Sequence, residues 1–253
     1  MSPDRPRPMI EVQKVHKTFG DNHVLRGIDL TALEGRTTVI IGGSGSGKSV
    51  LMKHMIGLLR PDRGRVLVDG EDTTGLSERE LTRVRAKFGM VFQSAALFDS
   101  MTVGENVAFP LREHRRLPEK EIRRIVAEKL ALVDLAGIER LYPAELSGGM
   151  RKRVGLARAI VLEPKIILYD EPTTGLDPIN AHSVDEMIQN AKARLGVTSV
   201  VITHDIASSF RIGDHIAMIH EGLIVEQGSA EDLRRSRHPF VQKFLATWFA
   251  KGE

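Results

Sequence analysis

Apolar residues early in the chain alternate with polar ones, and many of the apolar positions are β-branched. Turn-forming residues separate these segments, as is typical of strands that end in tight turns. The pattern predicts strands over residues 9–19, 24–33, 36–43 and 65–72. Residues 49–59, which follow a glycine-rich turn, instead have the three- and four-residue apolar spacing of a helix.

From residue 77 onwards, helical and strand-like patterns alternate. The predicted helices lie over residues 77–86, 103–114, 118–135, 151–160 and 177–195, and the predicted strands lie over residues 88–93, 165–171 and 198–205. The helix 118–135 opens with Pro118 and acidic residues in its first turn, as a helix start should. Strands that alternate with helices predict a parallel sheet with helices on its faces.

The alternation is interrupted between residues 94 and 162, where helices follow one another and no good strand occurs. We interpret residues 94–162 as a helical subdomain inserted into an α/β core, which comprises residues 9–93 and 163–235. Neither an internal repeat nor a low-complexity linker separates the two parts. The two lobes are therefore expected to form one module.

The two ends of the chain have different patterns. Residues 1–8 are proline-rich and charged, which predicts a disordered lead-in and not a signal peptide. Near the other end, Phe240, Phe244 and Trp248 recur every four residues and predict an amphipathic helix over residues 238–250. We expect its apolar stripe to pack on the chain's own lobe, and docking to a partner subunit is the alternative.

The composition is that of an ordinary soluble globular protein, with 253 residues, 42% hydrophobic and 27% charged. The net charge of +3 is too small to indicate nucleic-acid binding. The absence of cysteine rules out disulfides and thiolate metal sites. No apolar run approaches the roughly 18 residues that span a bilayer. Local basic clusters are interpreted as solvated faces; they lie at residues 112–116, 123–124, 151–153 and 234–237.

The segment from Gly42 to Ser49, GGSGSGKS, fits the phosphate-binding pattern G-x-x-x-x-G-K-[ST] between a strand and a helix. Its glycines let backbone N–H groups curl around a phosphate. Lys48 is expected to reach the β and γ phosphates, and the Ser49 hydroxyl to ligate Mg²⁺. A flexible Gly/Ser loop is the weaker alternative, because the flanking strand and helix are those that the motif requires.

Polar residues stand where three of the predicted strands end. Asp170 and Glu171 close the apolar strand KIILYDE, His204 closes SVVITH, and Gln93 closes FGMVFQ. Ligands of open α/β sheets bind at the carboxyl ends of the strands. Asp170 is therefore expected to hold Mg²⁺ or its water, and Glu171 to orient and deprotonate an attacking water.

This combination resembles the ATPase subunits of ATP-binding cassette (ABC) transporters, from about Met9 to Gly228. The resemblance rests on six motifs in the family's order. It implies an α/β fold over residues 9–253, with a P-loop NTPase (RecA-like) core, an N-terminal antiparallel β subdomain and the inserted helical subdomain. It also implies ATP and Mg²⁺ as cofactors.

The resemblance assigns roles residue by residue. It implies that Phe19 stacks on adenine, and that the remaining ATP-binding positions are Gly42, Gly43, Ser44, Gly45, Ser46, Gly47, Lys48, Ser49, Val50 and Gln93. It makes Ser49, Gln93 of the Q-loop and Asp170 the Mg²⁺ ligands. The catalytic residues that it implies are Lys48, Glu171 in the Walker B motif and the switch histidine His204.

A second group of motifs concerns the partner subunit. Such ATPases dimerise head to tail, so the resemblance implies that Ser147, Gly148, Gly149 and Met150 of the signature LSGGM face the ATP of the other subunit. Asp177 lies in the D-loop GLD. Met150 occupies a position where glutamine is usual, and Val50 one where threonine is frequent. Because Ser147 and the backbone donors remain, hydrolysis is expected to survive both departures.

Longer segments, including LFDSMTVGENVAFPLREH and ELSGGMRKRVGLARAI, resemble the ATPase of MCE-type lipid transporters, the group that includes Mla systems. The implied partners are a second copy of the chain, an integral membrane permease and a lipid-binding MCE protein. The implied location is the cytoplasmic face of the inner membrane, reached through the permease. A small STAS-domain regulator binds some of these ATPases through a longer C-terminal extension, and its presence here is an open alternative.

Three other functions compete with this interpretation. An ABC importer ATPase for amino acids or another small solute is the main alternative. A soluble ABC ATPase acting on DNA or the ribosome is disfavoured, because the chain has one P-loop and no long coiled coil. A P-loop GTPase is disfavoured because no Asn/Thr-Lys-x-Asp guanine-binding motif occurs, whereas Phe19 suits stacking on adenine.

Overall fold

The structure is a computed structural model, and it describes residues 6–249. Its strands, in chain order, are β1 (Pro8–Phe19), β2 (Asn22–Leu33), β3 (Thr37–Ile41), β4 (Arg63–Val68), β5 (Glu71–Asp72), β6 (Phe88–Val91), β7 (Ile166–Asp170), β8 (Thr198–Thr203), β9 (His215–His220) and β10 (Leu223–Gly228). Its α-helices are α1 (Lys48–Met55), α2 (Glu78–Arg85), α3 (Val103–His114), α4 (Glu119–Leu132), α5 (Gly148–Ile160), α6 (Pro178–Leu195), α7 (Ile206–Ile212), α8 (Ala230–Arg235) and α9 (Pro239–Phe249). A 3-10 turn covers Pro143–Glu145.

The first sheet has the order β2-β1-β4-β5, and all its pairs are antiparallel. Apolar residues of β1 and β2 face α1 and the second sheet, and they form one of the two apolar cores. The segment 65–72, predicted as one strand, is two strands. Asp69 and Gly70 separate them, and both have left-handed backbone with φ of +53° and +81°. That turn reverses the chain and makes β5 the edge of the sheet.

The second sheet has the order β10-β9-β3-β8-β7-β6, parallel except where β10 runs antiparallel to β9. Every residue of β3 and β8 is buried, as in strands covered on both faces. The predicted α/β fold with a parallel sheet is confirmed. Helices α3, α5 and α6 cover the face that carries the larger apolar core.

Between β6 and β7 the chain holds α3, α4, the 3-10 turn and α5, with no strand in residues 92–165. The starts of helices α3 and α5 are fixed by hydrogen bonds from nearby residues. Thr102 forms a capping box with Glu105 ahead of α3, and the Ser147 hydroxyl accepts from the Met150 N–H group ahead of α5. The division of the chain at residues 94 and 162 remains a prediction.

The chain ends differ in part from their predicted forms. Pro8 already belongs to β1, so the predicted lead-in is too long. The Arg7 carbonyl accepts from the Glu34 N–H group, and the Arg7 guanidinium pairs with the Glu34 carboxylate. Residues 1–5 lie outside the described residues. The predicted C-terminal helix is α9, while residues 250–253 and the Trp248 side chain lie outside the description.

Among the helices of residues 6–249, none combines the length and the apolar character needed to cross a membrane. The prediction of solvated basic faces is wrong for the cluster on α5. Lys152 is only 5% exposed, and its ammonium donates to the Pro172 carbonyl. Arg153 is half-buried, and it donates to the Val133 carbonyl and to Ser183. Both cations thus supply hydrogen-bond donors to carbonyls of neighbouring segments, which buried carbonyls require.

Candidate active site

The carboxyl ends of β3, β7 and β8 meet at one edge of the parallel sheet. Ile41 pairs with Thr203, and Asp170 pairs with Ile202. The residues that follow these strands therefore emerge side by side. This register brings the P-loop, Glu171 and His204 to the same place, as predicted from the strand ends.

The P-loop joins β3 to α1, and a larger residue at Gly42, Gly45 or Gly47 would be strained by contacts or by the left-handed backbone. A Cβ added at Gly42 would lie 2.3 Å from the Ile219 carbonyl oxygen. Gly47 has φ of +106° and packs against Leu25 and the Val24 carbonyl. In residues 6–249 no side chain caps α1. Its first-turn N–H groups, which have no acceptor within the helix, are therefore available to bind an anion.

Lys48 is the first residue of α1, and it is 8% exposed. Its ammonium donates to the carbonyls of Gly42 (2.8 Å) and Gly43 (3.0 Å), so the side chain folds over the loop. Burial lowers the pKa of Lys48, and the carboxylates of Glu171 and Asp170 oppose that shift. The result is a partly desolvated cation beside the phosphate-binding loop.

Glu171 connects the P-loop to the end of β8. One carboxylate oxygen lies 3.8 Å from the Lys48 ammonium. The other lies 2.8 Å from Nδ1 of His204, and it accepts a 2.9 Å hydrogen bond from the Thr174 hydroxyl. Glu171 has φ of +50°, an uncommon value for a residue with a side chain. Its N–H group donates to the Ile202 carbonyl at 2.8 Å. The carboxylate is thus held from both sides.

Asp170, the last residue of β7, is half-buried. Within the described residues its carboxylate has no hydrogen bond and no cation within 4 Å. Burial raises the pKa of Asp170, and the neighbouring Glu171 charge raises it further, while Lys48 lowers it. A desolvated carboxylate without a partner is suited to a cation.

The residues predicted to bind Mg²⁺ have side chains of the kind that this ion prefers. The hydroxyl of Ser49, the amide oxygen of Gln93 and the Asp170 carboxylate are hard oxygen donors, which this ion prefers. Ser49 and Gln93 are both exposed and line the cleft at this sheet edge, whereas Asp170 is not among the residues that line it. In residues 6–249 no group of three acidic or histidine side chains forms a metal cage. A single carboxylate nevertheless suits an ion that keeps waters and binds substrate phosphates.

The cleft at this edge has a volume of about 630 Å³. Predicted site residues that line it are Gly43, Ser44, Gly45, Lys48, Ser49, Gln93, Glu171 and His204. Four further lining residues carry no assigned role in the sequence: Thr174, Asp205, Ile206 and Phe244. The position of Phe244 places α9 next to the cleft, and Phe240 and Phe244, the two described residues of the predicted stripe, pack against the larger apolar core of the chain itself. Phe240 of the same helix stacks on His220.

Some predicted residues lie outside the lining of this cleft. Phe19 ends β1 and is 46% exposed, with the Lys17 ammonium 5.5 Å above its ring. Val50 is half-buried, and it packs against the core between the sheets. Ser46 has a buried hydroxyl with no partner in the described residues. The assigned roles of these three residues in ATP binding remain predictions.

The signature segment does not line the cleft of its own chain. Ser147 is exposed at the start of α5. Gly149 lies near the side-chain oxygen of Asn180, to which an added Cβ would be 3.5 Å distant. Asp177 caps α6 by accepting from the N–H groups of Ile179 and Asn180, and the Asn180 hydrogen bonds lower the pKa of Asp177. The signature and the D-loop therefore share one exposed surface.

The Met150 side chain is half-buried, and it packs against the larger apolar core. Its backbone N–H group donates to the Ser147 hydroxyl at 3.2 Å. The backbone bond is available to any residue at this position. Methionine in place of the usual glutamine therefore adds packing while it leaves the cap of α5 in place.

Thr174 and Asp205 are the site residues that sequence reasoning missed. The Thr174 hydroxyl donates a hydrogen bond to the Glu171 carboxylate. The Asp205 carboxylate accepts a 3.3 Å hydrogen bond from the Thr173 hydroxyl, and Asp205 caps α7. Asp205 directly follows His204, and Thr174 lies three residues after Glu171. Their positions near predicted catalytic residues were the signal in the sequence that could have identified them.

Comparisons with known proteins agree with this geometry. The sequence profile of the family described as ABC transporter matches residues 25–174. The probable ribonucleotide transport ATP-binding protein Mkl of Mycobacterium tuberculosis is 46% identical over 236 residues, 93% of this chain and 66% of that protein. The chain thus spans about two thirds of that relative. The intermembrane phospholipid transport system ATP-binding protein MlaF of Haemophilus influenzae is 43% identical over 97% of this chain and 91% of that protein.

A solved structure adds evidence for the fold. A dimeric ATP-binding cassette in a post-hydrolysis state, bound to ADP and Pi, has a TM-score of 0.78 and 32% identity, covering 88% of this chain and 99% of that one. The expected P-loop NTPase fold and the expected family are both confirmed. The chain belongs to the ABC transporter family, as an ATPase of the ATP-binding cassette type.

Proposed function

We propose that this chain hydrolyses ATP to drive the transport of phospholipid between membranes. The observation that carries the hydrolytic half is the Glu171 carboxylate, held between the Lys48 ammonium and His204 in the cleft. The observation that carries the lipid half is the 43% identity to MlaF over nearly the whole length of both chains. The similarity covers 97% of this chain and 91% of that protein, so it extends well beyond the catalytic motifs.

The roles of the catalytic side chains follow from their environments. Lys48 binds the β and γ phosphates after its ammonium leaves the Gly42 and Gly43 carbonyls. Glu171 orients the attacking water and takes its proton. His204 holds the Glu171 carboxylate in place, and the Thr174 hydroxyl supports the same oxygen. Phe19 stacks on the adenine ring.

Mg²⁺ completes this proposal. Ser49, Gln93 and Asp170 hold it, and it neutralises charge on the β and γ phosphates when bound. Asp170 has the raised pKa of a desolvated carboxylate, so a cation stabilises its ionised form. As a ligand of the ion, Gln93 would connect the Q-loop to the nucleotide site.

The active form in this proposal is a head-to-tail dimer. Ser147 and the N–H groups of Gly148 and Gly149 bind the γ-phosphate of the ATP held by the partner, because a helix N-terminus attracts anions. The exposed D-loop residue Asp177 lies on the same surface as the signature. Loss of the γ-phosphate on hydrolysis removes this bridge, and the dimer opens.

A membrane permease is the partner that receives this motion. An apolar groove of about 340 Å³ lies beside the Q-loop, and it is lined in part by Phe92, Phe98 and Phe109. Phe92 is 38% and Phe98 43% exposed. Exposed aromatic residues rimmed by polar ones mark interaction surfaces. We assign the groove to a cytoplasmic segment of the permease, since Gln93, next to Phe92, reaches the nucleotide cleft.

The remaining parts of the proposal come from the MCE-type resemblance. They are a lipid-binding MCE protein as a further subunit and attachment to the cytoplasmic face of the inner membrane through the permease. A second candidate function, transport of a polar solute, is favoured by one observation. The relative at 46% identity is named for ribonucleotide transport.

Purification of the complex from its native membrane separates these candidates. A tagged copy of this chain, extracted in mild detergent, should recover a permease, an MCE protein and bound phospholipid, all identified by mass spectrometry. The Glu171→Gln variant provides a matched sample in which the assembly is trapped with ATP. Recovery of a polar-solute permease without an MCE protein would contradict the lipid function. The same sample also tests for a small STAS-domain regulator.

A further inference from the structure

The Q-loop contains two consecutive residues in a strained backbone conformation. Ala95 has φ of +61° and Ala96 has φ of +47°. The left-handed region is unfavourable for residues with a Cβ, so such pairs persist only where surrounding contacts hold them. Ala95 is 1% exposed, and its N–H group donates to the Phe92 carbonyl at 2.9 Å. Gln93, which lines the nucleotide cleft, lies inside this turn.

The contacts that hold the turn come from α5. The Arg158 guanidinium donates to the carbonyls of Ala95 (2.7 Å) and Ala96 (2.8 Å). Gly155, one helical turn earlier on the same face, lies so close that an added Cβ would be 3.3 Å from the Ala95 Cβ. In residues 6–249 no carboxylate lies within 4 Å of the Arg158 guanidinium. Its charge is therefore directed at the two strained residues.

We propose that Arg158 is a positioning residue for ATP hydrolysis, which clamps the Ala95–Ala96 turn and thereby holds Gln93 at the nucleotide. This inference rests on the proposed role of Gln93 as a Mg²⁺ ligand. Arg158 does not line the cleft, so it acts through the loop. Its planar guanidinium donates to the two carbonyls from two separate nitrogens, a fixed fork that the single nitrogen of a lysine ammonium does not reproduce.

Helix α5, which carries Arg158, also connects the Q-loop to the signature. The same helix begins after Ser147, eleven residues earlier, which is about 16 Å at the rise of an α-helix. Lys152, between them, holds the Pro172 carbonyl next to Glu171. One helix thus connects the signature, the loop after Glu171 and the Q-loop, so a shift of α5 on ATP binding moves Gln93.

A double-mutant cycle tests the clamp. Arg158→Met is expected to lower kcat on the order of tenfold, the scale of lost hydrogen bonds to a charged group. It should also raise the Mg²⁺ concentration for half-maximal activity, an effect that we expect of Gln93→Ala as well. If Arg158 acts through Gln93, the Gln93→Ala/Arg158→Met double variant should match Gln93→Ala alone. Arg158→Lys should retain part of the activity.

Arg153→Met is the matched control, because Arg153 lies on the same helix and also donates to a carbonyl and a hydroxyl, but away from the Q-loop. The fold-decreases in kcat from Arg153→Met and Gln93→Ala should multiply in the double variant. If the decreases from Arg158→Met and Gln93→Ala also multiply, the clamp is overturned. If Arg158→Met fails to fold, Arg158→Lys takes its place in the cycle.

Amide exchange of residues 93–98 separates failure of the clamp from failure of the Gln93 assignment. Exchange should accelerate in the Arg158 variant and not in Arg153→Met. Ala96→Gly, which relieves the left-handed strain at an exposed position, should reduce the effect of Arg158→Met. Unchanged exchange overturns the clamp, whereas a normal Gln93→Ala enzyme with accelerated exchange overturns only the proposed role of Gln93.

Discussion

Two helix N-termini in this protein carry glycines that suit a phosphate, yet their surroundings are opposite. The start of α1 lies in the cleft, and Gly42 before it is forced by packing, since an added Cβ would meet the Ile219 carbonyl at 2.3 Å. The start of α5 lies on an exposed surface, and the nearest atoms to an added Cβ are 3.8 Å away at Gly148 and 3.5 Å at Gly149. Nothing in the described chain requires glycine at those two positions.

The difference indicates which group comes close to the glycines at each helix start. Gly42 and Gly47 of the P-loop are explained by the chain's own fold, whereas we explain Gly148 and Gly149 by a group that comes from outside it. Glycine early in a helix costs about 0.5–1 kcal/mol relative to alanine. We infer that the signature contains glycine despite this cost, because its N–H groups must come close to the partner's ATP.

The largest effect is expected at Glu171. Glu171→Gln should slow ATP turnover about 10² to 10⁴ fold, the scale of a lost general base, while ATP binding and ATP-driven dimerisation persist. Steady-state hydrolysis and equilibrium binding of labelled ATP measure the two properties separately. Unchanged turnover would remove Glu171 from the role of base.

Lys48→Ala should weaken ATP binding itself, since a hydrogen bond to a charged group contributes about 1.5–3 kcal/mol, a tenfold or larger change in Kd. Calorimetric titration with ATP measures this change. Ser147→Ala is the matched variant at the other helix start, and it should leave the ATP affinity of the monomer unchanged. Equal losses in both variants would place the two helix starts at the same nucleotide of one chain.

Asp170→Asn should separate stability from metal binding. Burial raises the folded-state pKa of Asp170. Its stabilising contribution is therefore present below the unfolded pKa, and it is lost as the pH rises through the folded pKa. At neutral pH the charged carboxylate destabilises the metal-free protein, so the variant should have a higher Tm. Thermal scans with and without Mg²⁺-ATP should also show a smaller ligand-induced gain than in the parent. A lower metal-free Tm would contradict the assignment.

The smallest effect on the fold is expected at Gly149. Gly149→Ala should stabilise the monomer by about 0.5–1 kcal/mol in urea unfolding, because the site is open and alanine is the better helix former. The same variant should lose ATP-driven dimerisation. Gly42→Ala serves as the opposite case, and it should destabilise the fold. A destabilised Gly149→Ala protein would mean that the chain itself requires this glycine.

Much of the site was predictable because its residues follow strand ends and a glycine pattern that chemistry restricts. Lys48, Glu171 and His204 meet as the strand order requires. The strands β9 and β10 were not predicted, since a short apolar run does not distinguish a strand from a buried helix. The clamp by Arg158 was also invisible, because it depends on a carbonyl that lies 62 positions away along the chain.

The central claim is that each ATP is bound by the P-loop of one chain and the signature of the other. Its most direct test mixes two variants in the Glu171→Gln background and weighs the complexes by native mass spectrometry. Lys48→Ala alone should remain an ATP-free monomer, and Ser147→Arg alone should remain a monomer with ATP. The mixture should form a heterodimer with one ATP, because one composite site is intact. ATP-driven dimers of either variant alone, or no heterodimer on mixing, would contradict the account.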